Sequence, residues 1–220
     1  SNLYGKSNQQ THKQGNNLMR TQIVEIYKFD ELSDGAKEKA RDWWRNGGLD
    51  YNWHENLFSN FVSICEILGF DVIESNIYFS GFWLQGDGAS FTGSYSYKKG
   101  ATKKIREYAP LDTALHEIAD TLQALQKRNF YGLRGNIERC SASNYVHENT
   151  ISCGYVERDS DNCQEPTSGA EKTLTDCARD LCRWFYSILE REYDWLNSEE
   201  QVDESIYCNK YEFYASGEII

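Results

Sequence analysis

Apolar and polar positions recur along this chain with two periods, and the switches between them mark out its elements. Residues 22–29 form a short mixed run with Ile23, Val24 and Ile26 as its apolar members, which predicts a strand. Ser33 then stands where a helix N-cap belongs, and Ala36, Ala40, Trp43 and Trp44 keep helical spacing until Gly47 and Gly48 stop the run. A second helix is predicted over 52–68, with Trp53, Leu57, Phe61, Ile64 and Leu68 on its buried stripe and Gly69 placed to end it. Residues 70–73 read as a short strand and 76–84 as a longer one. After Gln85-Gly86-Asp87-Gly88 the period is strictly two: Ala89, Phe91, Gly93, Tyr95 and Tyr97 alternate with Ser90, Thr92, Ser94 and Ser96. That pattern predicts a single half-buried strand returning from a tight hairpin turn.

The second half of the chain turns helical more often. A short basic helix is predicted over 99–108. Asp112 then caps a strong helix in which Leu115, Ile118, Leu122 and Leu125 repeat at three and four. Two strands follow, over 131–140 and 150–157, and then a loop over 159–169 that contains Pro166. The longest helix is predicted over 171–196, with Leu174, Ala178, Leu181, Phe185 and Ile188 down one side. Ser198 and Gln201 form a capping box for a last short helix through Val202 and Ile206, and 211–214 reads as a final strand. Helices do not alternate one for one with strands. The pattern therefore predicts an α+β fold, an antiparallel sheet with helices packed mainly on one face, in a single domain over 19–220.

Composition adjusts this picture at its ends and surface. Residues 1–18 are rich in Asn and Gln and have no apolar period, so they read as a disordered or expression-derived leader, with Met19 as the natural start. Six Trp, fifteen Tyr and ten Phe supply a core. No apolar run approaches the roughly 18 residues a membrane span needs. The seven cysteines form an odd set without a C-x-x-C pair, which points to free thiols in a reducing cytoplasm. The net charge is −11, and the leader holds Lys6 and Lys13 but no acid. Such a surface repels polyanions and favours a basic partner, so direct nucleic-acid binding is not expected.

Four segments carry candidate chemistry. The turn Gln85-Gly86-Asp87-Gly88, flanked by Phe82 and Trp83, sets a carboxylate, an amide and backbone N–H groups beside an aromatic wall, which suits a ligand or a partner's side chain. Its bland reading is a hairpin loop chosen for turn chemistry. Lys98, Lys99, Lys103, Lys104 and Arg106 form a basic run, either a solvated face or the countercharge for a nucleotide held at the turn. Tyr145, His147 and Glu148, close after Cys140, are weak acid–base candidates beside the reading of a hydrogen-bonded loop histidine. Glu199, Glu200, Asp203 and Glu204 belong to an acidic C-terminal helix that either keeps the surface soluble or meets a basic protein. His54, His116 and His147 fall on different predicted elements without ligand spacing, so no metal and no cofactor is expected.

Three stretches carry a family resemblance: Tyr27-Lys-Phe-Asp-Glu-Leu-Ser-Asp-Gly-Ala-Lys-Glu-Lys-Ala-Arg-Asp-Trp, Tyr78-Phe-Ser-Gly-Phe-Trp-Leu-Gln-Gly-Asp-Gly-Ala-Ser-Phe and Leu189-Glu-Arg-Glu-Tyr-Asp-Trp-Leu, with Asn209-Lys-Tyr-Glu-Phe near the end. They resemble phage and prophage proteins labelled "antitoxin of toxin–antitoxin stability system". The resemblance implies a phage-encoded protein in the host bacterial cytoplasm, and a host toxin, nuclease or defence factor as its partner. The expectation is thus an acidic, non-enzymatic binding protein that neutralises such a partner by occlusion. The alternative is a protein that sequesters a signalling nucleotide, and a hydrolase using Tyr145, His147, Glu148 or Asp87 comes third.

Overall fold

The computed structural model describes residues 23–50, 52–140, 145–158 and 165–220, with the side chain of Tyr155 left aside. The expected leader and most of the expected loop over 159–169 lie outside these residues. Among the described residues the fold is α+β, built on antiparallel strands.

The central sheet has the order β2 (Phe70–Asp71), β5 (Gly93–Ser96), β6 (Leu133–Arg139) and β7 (Ile151–Arg158). Along β6, Leu133, Gly135 and Ile137 are buried while Arg134, Asn136 and Glu138 are exposed, the alternation of a sheet covered on one face. Helix α5 (Ala170–Leu196) packs on that face, together with α2 (Glu55–Leu68), α3 (Ala101–Tyr108) and α4 (Thr113–Arg128). Most of the apolar stripes expected on these helices are buried: Phe61, Ile64 and Leu68 on α2, Leu115, Ile118, Leu122 and Leu125 on α4, and Leu174, Ala178, Leu181 and Phe185 on α5, where Leu189 takes the core place expected of Ile188, which is half-exposed. At the expected cap, Asp112 Oδ1 accepts from the Leu115 amide at 3.1 Å, and its other oxygen accepts from Trp184 Nε1 at 2.7 Å. That one carboxylate ties the start of α4 to α5.

Three expectations need correction. Among the described residues the strand expected over 22–29 is reduced to β1 (Tyr27–Lys28), whose partner is the two-residue β8 (Glu212–Phe213). Ile23, Val24 and Ile26 are 92%, 44% and 52% exposed, so apolar identity alone did not give them a core to face. The strand over 76–84 stops at Phe79: β3 (Ile77–Phe79) pairs with β4 (Ala89–Phe91), and residues 80–88 form a long irregular loop where a tight hairpin was expected. The clean alternation from Ala89 to Tyr97 is split at Thr92 between β4 and β5, which pair in different sheets. Its register survives the break, with Ala89, Phe91 and Tyr95 buried, but Ser90 is buried as well.

A second, smaller apolar cluster joins the two ends of the described chain. Helix α1 (Asp34–Gly47) and α6 (Glu199–Cys208) bury Ala36, Ala40, Trp44, Val202 and Ile206 against Phe29 and Phe213. Ser198 caps α6 as expected, its hydroxyl accepting from the Gln201 amide. Among the described residues no helix is long and apolar enough to cross a membrane.

Candidate functional site

The loop over 80–88 is irregular but firmly held. Asp87 Oδ2 accepts from the amides of Trp83 at 3.0 Å and Leu84 at 2.7 Å, and the Asp87 amide donates back to the Leu84 carbonyl at 3.1 Å. Gly86, at φ +93°, supplies the left-handed residue that this turn requires. Ser80 closes the base of the loop, its amide donating to the Gly88 carbonyl and its hydroxyl accepting from the Gly88 amide. Phe82 is half-buried against Tyr193 (5.0 Å between ring centroids), Tyr186 (5.5 Å) and Trp53 (6.3 Å). Tyr186 also donates to the Gly81 carbonyl at 2.9 Å. Its hydroxyl is harder to ionise than usual, through burial first and then the nearby carboxylates of Asp87 and Glu190.

The Gly-rich turn caps a packed structure. A side-chain carbon at Gly88 would lie 2.7 Å from the His147 Cα, and one at Gly86 would run into the Tyr145 ring. Two candidate segments of the sequence, 85–88 and 145–148, are therefore one place in the fold. Asp87 is spent on loop amides and Gln85 is exposed at the rim. What the loop presents outward is Trp83 and Leu84, 74% and 77% exposed.

Beside the loop lies an open cleft of about 560 Å³. Trp53 and His54 at the start of α2, Phe58 one turn on, and Tyr78 and Phe79 of β3 form its aromatic walls, with Asp50 at its rim. His54 sits 4.8 Å from Phe58 and 5.1 Å from Phe79, ring centre to ring centre, and its Nδ1 is buried without a hydrogen-bond partner. Arg139 lies over the Tyr78 ring at 4.5 Å. The sequence shows Trp53 only as a member of a helical stripe and His54 only as an isolated histidine. Their company with Tyr78 and Phe79 is tertiary, and the packing of β3 against the first turn of α2 creates it.

The remaining candidates fall elsewhere. Lys103 and Lys104 are exposed on α3, which packs on α2 and α4. Lys103 pairs with Glu107 at 3.6 Å, Arg106 with Asp120 at 2.7 Å and Lys98 with Glu66 at 3.4 Å. Three of the five basic residues are thus paired with acids of α2, α3 and α4, and no contact of the run with the turn is seen among the described residues. His147 Nδ1 accepts from the Asn149 amide at 3.1 Å, and Glu148 lies 3.7 Å from Arg183, which makes the pair a hydrogen-bonded loop end. On the acidic helix, Asp203 and Glu199 hold Arg41, at 2.6 Å and 2.9 Å, while Glu200 and Glu204 are exposed. No group of three or more His, Cys, Asp or Glu side chains among the described residues is arranged to hold a metal ion.

Residues 53–199 match the family model described as a domain of unknown function, DUF8835. The chain belongs to this family. No curated protein and no solved structure matches it. The DUF8835 span contains the whole of the larger core, the 80–88 loop and the aromatic walls of the cleft. The smaller cluster built from α1 and α6 is made by residues outside the span, and so is Asp50.

Proposed function

We propose that this protein is a binding protein that covers a basic surface of another protein, with the 80–88 loop as its central contact. The observation that supports this reading is a large aromatic and a leucine at 74% and 77% exposure on a loop whose Trp83 and Leu84 amides and Gly81 carbonyl are hydrogen-bonded. An anchor whose loop is ordered before binding loses little entropy when it docks, which is how a few residues come to dominate an interface. The charge of −11, with Asp87 and Glu190 close to the loop's support, favours a basic partner and speeds the encounter. Occlusion needs no chemistry of its own, and the Tyr145–Glu148 segment is occupied with holding the loop.

The resemblance to antitoxin-labelled phage proteins extends the proposal to a host toxin, nuclease or defence factor in the bacterial cytoplasm. Sequestration of a signalling nucleotide has less support, because two of its three countercharges on α3, Lys103 and Arg106, are paired with neighbouring acids. The test is capture from host lysate with Trp83→Ala and Asp87→Ala beside the unaltered chain. A basic protein retained by the unaltered chain should bind Trp83→Ala about 30-fold more weakly, the effect of losing roughly 2 kcal/mol at an anchor. Asp87→Ala should weaken binding without lowering the helix content. Full retention by Trp83→Ala would remove the loop from the interface.

A further inference from the structure

We propose that the aromatic cleft beside the loop receives an arginine side chain of the basic partner, an inference that rests on the binding function proposed above. Three observations select a guanidinium. Most of the lining is aromatic, Trp53, His54, Phe58, Tyr78 and Phe79 beside Leu49, Ile77 and Val146, and Trp, Tyr and Phe rings attract cations through their quadrupoles. Among the described residues the one formal charge in the lining is Asp50, an exposed carboxylate that accepts from the Asn52 amide at 3.0 Å and meets no described Lys or Arg. The protein itself already stacks a guanidinium on this tyrosine, with Arg139 over the Tyr78 ring at 4.5 Å.

The chemistry disfavours other occupants. An anionic ligand such as a nucleotide phosphate meets Asp50 in the lining, which holds no Lys or Arg, and Arg139 is already engaged over the Tyr78 ring. A neutral aliphatic group leaves both the carboxylate and the His54 ring unused. Arginine is preferred over lysine because its planar head is more weakly hydrated and stacks flat on an aromatic face. It also brings five N–H donors, which the exposed Asp50 carboxylate can accept. The space of about 560 Å³ admits the side chain with part of its own backbone. Trp83 and the cleft are joined through Phe82, which packs on both Trp53 and Phe79. One partner surface, with an apolar pocket for Trp83 and an arginine beside it, would engage both.

The experiment is a titration of the full chain with N-acetyl-arginine methylamide, followed by NMR at the Trp53 indole, the His54 imidazole and the Trp83 indole. Its control is the citrulline analogue, which keeps the shape and removes the charge. Saturable shifts at Trp53 and His54, at least tenfold weaker with citrulline, are expected. Asp50→Asn keeps the acceptor for the Asn52 amide and should weaken arginine binding about fivefold. Equal binding of arginine and citrulline, indifference to Asp50→Asn, or shifts confined to Trp83 would each overturn the proposal. If arginine stays out while Trp83→Ala still loses the captured partner, the cleft assignment alone falls. If arginine enters while Trp83→Ala keeps the partner, the cleft stands and the loop contact falls.

Discussion

Gly88 shows how much of the site depends on single atoms. Its Cα faces His147, and an added Cβ would lie 2.7 Å from the His147 Cα and 3.0 Å from the Val146 carbonyl oxygen, backbone that cannot swing aside. Gly88→Ala should therefore cost about 2 kcal/mol, which lowers the melting temperature by roughly 6 °C in a chain of this size. Gly35→Ala on α1 is the matched control: nothing lies within 4 Å of its Cβ position, and helical alanine gains about 0.5–1 kcal/mol over glycine. Thermal unfolding followed by circular dichroism separates the two. At this scale the sequence is half legible. Gly86 can be read from turn chemistry and does occupy the positive-φ position. The reason for Gly88 lies about sixty residues away and leaves no local trace. Asp87, read as a carboxylate for a ligand, has its Oδ2 committed to two loop amides, a competition that a list of residue types cannot show.

Between elements, the decisive contact is the one that α1 makes with α6. Arg41 is 8% exposed, donates to the carboxylates of Glu38 and Asp203, pairs with that of Glu199, and lies 5.7 Å from the Phe29 ring. Asp203 grips it twice, at 2.6 Å to Nε and 2.7 Å to Nη2, and these bonds raise the Arg41 pKa further. Removing Asp203 takes away two of the guanidinium's bonds and leaves Glu38 and Glu199, so Asp203→Ala should cost about 1–2 kcal/mol, whereas Glu200→Ala, at an exposed position, should stay within about 0.5 kcal/mol. Urea unfolding of the two variants measures the difference. The acidic helix therefore divides into acids that hold the fold and acids that face solvent, and only Glu200 and Glu204 are available to a partner without cost to stability. Sequence periodicity identified the helices well, because a stripe of Leu, Ile and Phe at three and four serves a core wherever that core sits. Short strands were less legible. Ile23, Val24 and Ile26 satisfy every local rule for a strand, yet pairing ends at Tyr27, since β8 offers only two residues.

Across the whole molecule, four buried thiols make its stability depend on alkaline pH. Cys65 and Cys182 lie where α2 meets α5, and Cys153 and Cys177 where β7 meets α5. Burial raises all four, Cys153 to about 11 and Cys177 to about 12, from an ordinary value of 9.0. An acid whose pKa is higher in the folded state holds its proton there while the unfolded chain gives it up. The contribution is complete below pH 9 and is lost as pH rises through the folded values, at up to about 1.4 kcal/mol per pH unit for each thiol. The melting temperature should hold steady from pH 7 to 8.5 and decline from pH 9, before Tyr95, raised by the same burial, adds its own loss above 10. Cys177→Ala should make the decline between pH 9 and 10 shallower even though it lowers the neutral-pH melting temperature. A thiol reagent at pH 7.5 should label the exposed Cys140 and Cys208 and leave these four unreacted until the chain unfolds. An unchanged slope in Cys177→Ala would mean that its thiol ionises equally in both states, and so that the face α5 presents to β7 is open to water.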